Sequence, residues 1–238
     1  MAVWHVSWND KDDGIDWQSY FHQRNQLIAA LLHSREPHGG KVLQQSFQGL
    51  LKNAYSMRYY TNAIRLLALE DLFGGPERLH ETLGTTLPML RSMVADHPSA
   101  QVKANQEAFP APLALHGGAV PQLPPRSKLV PWTLRTGLRH LRKASEDSRQ
   151  APEVAVPARN AIWWFLSQYD SALVSRADGS GAVLLQREPE LFRAQMGQAL
   201  RVHLRLYREW DALADRYRRS LAAITSVEAW ADAFGIED

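Results

Sequence analysis

Cysteine is absent from this 238-residue chain, and that absence removes several chemistries at once. Disulfides, thiolate nucleophiles, iron–sulfur clusters, cysteine-type zinc sites and c-type haem attachment are all excluded. Long apolar runs are absent too. No stretch reaches the ~18 apolar residues that a spanning helix needs, so no membrane partner is expected. The first thirty residues hold acids and lack a basic start followed by an apolar run. No secretory leader is therefore expected, and the cytoplasm is the default location. Nucleophile and phosphate-loop patterns are missing as well: no Walker loop, no His-Glu-x-x-His, and no G-x-S-x-G elbow to accompany the His-Gly-Gly tripeptides at 38–40 and 116–118. Those tripeptides read as turns. Lysine is scarce, 6 residues against 21 arginines, so almost all positive charge sits on guanidinium groups, which suit bidentate and stacked contacts.

What is present is an ordinary globular composition, 45% hydrophobic and 22% charged, long enough for one domain with a sizeable core. The net charge of +2 is too small to imply a polyanionic partner by itself. Residues 1–15 read as an amino-terminal arm. Helices are expected from Asp16 to His33, from Lys41 to Phe73 with a stop at Gly74-Gly75-Pro76, and from Pro76 to His97 with a kink at Pro88. Residues 98–131 carry seven prolines and read as a long Pro-rich loop, a lid, binding loop or linker. Helices resume over Trp132–Ser145 and Ala158–Val174, the latter entered through Pro157. Around the turn Asp178–Gly181, a loop is preferred to a small hairpin pairing Leu173–Arg176 with Ala182–Gln186. A last long helix, Pro189 to Ala223, rises roughly 50 Å. Ser226 then caps a short terminal helix carrying Trp230 and Phe234. The expected fold is a single all-α domain, residues 1–238, with helices 41–73 and 189–223 as its core pair.

Within the last long helix, Phe192, Met196, Ala199, His203, Leu206, Trp210, Leu213, Tyr217, Leu221 and Ile224 follow steps of three and four and share one face. His203 is its one ionisable member. A buried imidazole needs a hydrogen bond, a metal or a cofactor. A satisfied core histidine is preferred, with a partner expected near Met57–Ile64, such as the Tyr59 or Tyr60 hydroxyl. The alternative is a haem or metal ligand in the bundle core. Di-iron bundles need two Glu-x-x-His pairs, and Glu77–His80 is the one present. No cofactor is expected on the preferred reading; haem is the alternative. The seam also suits pairing with a second copy, because periodicity does not separate intramolecular from intermolecular burial.

The strongest local charge is Arg126, Lys128, Arg135, Arg139, Arg142 and Lys143, with no acid between Glu107 and Glu146. Arg135, Arg139 and Arg142 share a helical face, with Leu134, Leu138 and Leu141 expected on the buried one. Such a stripe binds phosphate backbones or an acidic protein surface, and Trp132 at its head can stack on a base. Arg91–His97 and Arg135–His140 also match the Arg-x4–6-His spacing of HEPN ribonucleases. With 21 Arg and 9 His, about two such matches arise by chance. The leading expectation is a non-enzymatic binding or assembly protein presenting its arginine helix to nucleic acid or an acidic partner. A cofactor or aromatic-substrate enzyme built around His203 is the alternative, and a ribonuclease using Arg91 and His97 comes third.

Overall fold

A computed structural model describes residues 18–78, 89, 102–103, 111–115, 128–142, 151–175, 181–228 and 231. The helices are α1 (Gln18–His33), α2 (Gly40–Tyr55), α3 (Tyr59–Asp71), α4 (Leu129–Arg142), α5 (Trp163–Leu166), α6 (Pro189–Arg219) and α7 (Leu221–Thr225). The strands are β1 (Val102–Lys103), β2 (Leu113–Ala114), β3 (Val154–Val156), β4 (Ser171–Ser175) and β5 (Ala182–Gln186). The chain divides into two compact units. One gathers Tyr55–Arg58 with the described residues between 102 and 192; the other gathers 18–54, 59–78 and 193–228. The amino-terminal arm, the 76–97 helix beyond residue 78 apart from Met89, and Trp230 and Phe234 lie outside the described residues.

The helical unit is built on the α6 seam. Ala199, His203, Leu206, Trp210, Leu213 and Tyr217 are all buried, against Leu27, Leu31, Leu50, Leu66, Leu69 and Leu72 of α1, α2, α3 and the turn that follows. The seam ends at Tyr217, whose hydroxyl donates to the Leu72 carbonyl. Ser220 breaks the helix, and Leu221 is exposed. A continuous helix over 41–73 is not found. It divides at Met57, a buried residue with φ of 60°. No glycine or proline marks that break. The burial of Met57 holds the chain in a region that a β-carbon disfavours. Across the break, Asn62 Nδ2 donates to the Leu50 carbonyl at 2.9 Å and ties α3 back onto α2. At the start of α2, Glu36 Oε2 accepts from the Lys41 amide at 2.9 Å, satisfying one of the helix's orphan donors.

The other unit overturns the all-α expectation: the fold is mostly helical but carries a five-stranded mixed sheet, in the order β1-β5-β4-β3-β2. β3 and β4 are parallel, with Ala155 beside Leu173; the remaining pairs are antiparallel. A parallel pair needs a crossover, here made by the turn Ala158–Asn160 and the four-residue α5. The helix expected over Ala158–Val174 is therefore reduced to Trp163–Leu166, and its end, from Ser171 on, is strand. β4 is buried along its whole length, so it shows no alternation between apolar and polar residues. β4 and β5 pair from Ser171–Gln186 to Ser175–Ala182, so the hairpin ranked below a loop is the one that forms. The stretch read as a Pro-rich loop over 98–131 contributes β1, β2 and the first turn of α4. Arg187, its side chain buried, closes the unit from within. Its Nη2 donates to the carbonyls of Tyr55, Leu166 and Tyr169 at 3.1, 3.2 and 3.0 Å.

Candidate functional site

Both ring nitrogens of His203 are engaged by the protein. Nδ1 lies 2.7 Å from the Ala199 carbonyl, which can only accept, so that nitrogen carries the proton. Nε2 then accepts from the Ser46 hydroxyl at 3.1 Å, and Gln23 Nε2 donates to the same hydroxyl at 3.3 Å. Phe47 meets the imidazole edge-to-face at 5.3 Å. Burial pushes the His203 pKa below its ordinary value, with the Ala199 carbonyl working weakly the other way. The relay Gln23–Ser46–His203–Ala199 is complete for a neutral ring and leaves no nitrogen free for iron. The partner is Ser46 of α2, and not a tyrosine hydroxyl between Met57 and Ile64.

The basic helix is oriented differently from its pattern. α4 turns Thr136 and His140 inward, and leaves Leu134, Leu138 and Leu141 exposed beside the arginines. Tyr55 is the reason. Its hydroxyl donates to the Thr133 carbonyl at 2.7 Å, and a β-carbon on Gly137 would sit 2.7 Å from the Tyr55 hydroxyl oxygen. Burial raises the Tyr55 pKa to about 12 despite the nearby Arg187. His140 packs between the rings of Tyr55 and Phe192 at 6.0 and 5.6 Å. Lys128, Arg135 and Arg142 are exposed, while Arg139 spends its Nη2 on the Ser167 carbonyl at 2.6 Å. Trp132 is half-buried with its ring 6.0 Å from Trp163. Arg126, Lys143, Arg91, His97 and His80 lie outside the described residues, while Glu77 pairs with Arg216 at 2.8 Å.

A recess of about 430 Å³ opens in the helical unit, lined by Glu70 and Phe73 on one side and Gln198, Arg201, Val202 and Arg205 of α6 on the other. Gln198 Nε2 donates to Glu70 Oε1 at 2.8 Å. The Arg205 guanidinium lies 3.8 Å over the Phe73 ring and pairs with Glu209 at 2.9 Å. Arg201 has no carboxylate within ion-pair distance among the described residues. The recess thus offers amide, carboxylate and guanidinium groups beside an aromatic ring, a set that matches a hydroxyl-rich ligand. Sequence reasoning missed it. Its one legible trace is the spacing of Gln198, Arg201, Val202 and Arg205, which share a face flanking the seam.

Residues 42–236 match the family described as galactofuranosyltransferase-2, domain 3. The chain is 33% identical over 230 residues to the galactofuranosyltransferase GlfT2 of Mycolicibacterium smegmatis, covering 96% of this chain and 35% of that protein. It is 32% identical over 232 residues to the galactofuranosyltransferase GlfT2 of Mycobacterium tuberculosis, covering 96% of this chain and 36% of that protein. The chain thus spans about a third of the length of these relatives. These matches overturn the expectation of a non-enzymatic nucleic-acid-binding protein, and with it the oxidoreductase and ribonuclease alternatives. An arginine-rich amphipathic helix is common to many folds, and charge alone does not name what it meets. No helix among the described residues is long and apolar enough to cross a membrane.

Proposed function

The chain belongs to the galactofuranosyltransferase-2 domain 3 family, and on that premise we propose that it serves as the helical domain of an enzyme that transfers galactofuranosyl groups. One observation carries this reading: the similarity runs through nearly the whole chain, 230 residues at 33% identity, across both compact units. Within the domain, the recess at Glu70, Phe73, Gln198 and Arg201 is the place we assign to a sugar chain. Hydroxyl groups there meet a carboxylate that accepts and amide and guanidinium groups that donate. The Phe73 face turned to Arg205 is already covered, so the ring contributes its remaining apolar surface. The test replaces the matched span of the M. smegmatis relative with this chain and measures galactofuranosyl transfer. Transfer is expected to persist. Gln198→Ala and Arg201→Ala should raise the acceptor KM several-fold with little change in kcat. A chimera that folds and does not transfer would sink the reading. Unchanged acceptor KM in both variants would remove the recess from it.

A further inference from the structure

α4 carries an apolar stripe that the fold leaves in solvent. Val130, Leu134, Leu138 and Leu141 recur at steps of four, four and three, and are 70%, 65%, 51% and 44% exposed. Their centre lies more than about a third of a turn from that of the buried Thr136 and His140. Together they expose a patch on the order of a few hundred Å², a size that on monomers is often functional. The stripe is not a by-product of a poorly packed helix. The inward face is anchored by the Tyr55 hydrogen bond to Thr133 and by the close approach at Gly137, so α4 cannot roll its leucines inward without losing both.

What covers the stripe follows from charge and from length. A second copy of α4 laid against it would bring Arg135, Arg139 and Arg142 of each helix together with no acid on either, which opposes self-pairing. The relatives, by contrast, continue well beyond the third of their length that this chain matches. We propose that the α4 stripe is the docking face for the part of a galactofuranosyltransferase outside this domain. That surface is an apolar groove with carboxylates along the edge that meets Arg135 and Arg142, an arrangement of the helix-in-groove kind. The inference rests on the domain reading above.

The test uses the purified chain and an M. smegmatis relative shortened by the matched span. Alone, the chain is expected to sediment as a monomer. With the shortened relative it should form a complex, weakened at least about tenfold by Leu134→Glu/Leu138→Glu. The control Leu200→Glu/Leu204→Glu, on exposed leucines of α6, should leave it unchanged. No complex, or equal binding by the α4 variant, overturns the proposal. So does a self-associating chain that the α4 variant disperses, because the occupant is then a second copy. Should the shortened relative be insoluble, the chimera takes its place. Amide exchange over 129–142 should then be slower in the chimera than in the chain alone, and the slowing should vanish in the α4 variant. Equal exchange overturns the proposal. Slowed exchange without galactofuranosyl transfer would sink the domain reading while docking stands; transfer with no slowing would do the reverse.

Discussion

Removing the Ser46 hydroxyl should cost more than its size suggests, because two buried groups depend on it. In Ser46→Ala, His203 Nε2 loses its donor and Gln23 Nε2 loses its acceptor. Both residues are buried. At about 1–3 kcal/mol for each orphaned group, the variant should be destabilised by about 2–6 kcal/mol. His203→Leu is milder, about 1–2 kcal/mol, because Ser46 keeps the Gln23 donor and loses only the acceptor for its own proton. The double variant no longer holds an orphaned imidazole, so it should be at least about 1 kcal/mol more stable than the two single costs predict. Urea unfolding followed by tryptophan fluorescence reads all three. pH adds a second axis. The folded His203 pKa lies below the unfolded value of about 6.5, so the unfolded chain binds the proton more readily. The relay's stability is therefore fully present above about pH 7 and is lost as pH falls toward and through the folded pKa. The slope approaches about 1.4 kcal/mol per pH unit. The gap between the native chain and His203→Leu should narrow accordingly. Additive single costs, or a gap constant from about pH 7.5 to 5, would refute the relay.

Gly39 has φ of +63°, and a β-carbon there would lie 2.6–2.7 Å from the Trp210 ring. Gly39→Ala should thus destabilise by about 2–4 kcal/mol, from the left-handed penalty plus overpacking, in thermal or urea unfolding. Arg187→Met removes the donor to three carbonyls and the partner of Asp170, 3.7 Å away; about 3–5 kcal/mol should be lost, with amide exchange in β4 and β5 accelerated. The exposed Glu77–Arg216 pair is worth little, so Glu77→Gln should change unfolding free energy by less than about 1 kcal/mol. Leu134→Glu/Leu138→Glu should leave the stability of the isolated chain within about 0.5 kcal/mol, since both leucines already meet water.

The buried stripe of α6 was legible because it is long. Six seam positions from Ala199 to Tyr217 hold one face over five turns, a period no strand or loop reproduces. The same stripe contained the reason to prefer a hydrogen-bonded His203, though not its partner, which is a serine 157 residues away. α4 shows where such reasoning ends. Its leucines are periodic as well, yet the face that turns inward holds threonine, glycine and histidine. The deciding contacts come from Tyr55 and Phe192, far off in sequence. β4 was illegible for a related reason: a strand buried on both faces has no alternation, and Ser-Ala-Leu-Val-Ser matches the middle of a buried helix equally well. The recess of the helical unit joins residues of α3 and its following turn to α6, and neither segment announces it alone.

By itself, the sequence determined the chemistries closed to a chain without cysteine, the end of α1 at His33, and the buried face of α6, because each depends on composition or on a pattern that runs within one segment. Only the tertiary structure decided the break at Met57, the mixed sheet, and the outward leucines of α4. Those follow from which partner each segment meets. A hydroxyl that must reach a carbonyl, across a glycine that lets it approach, outweighs the local preference of leucine for the interior.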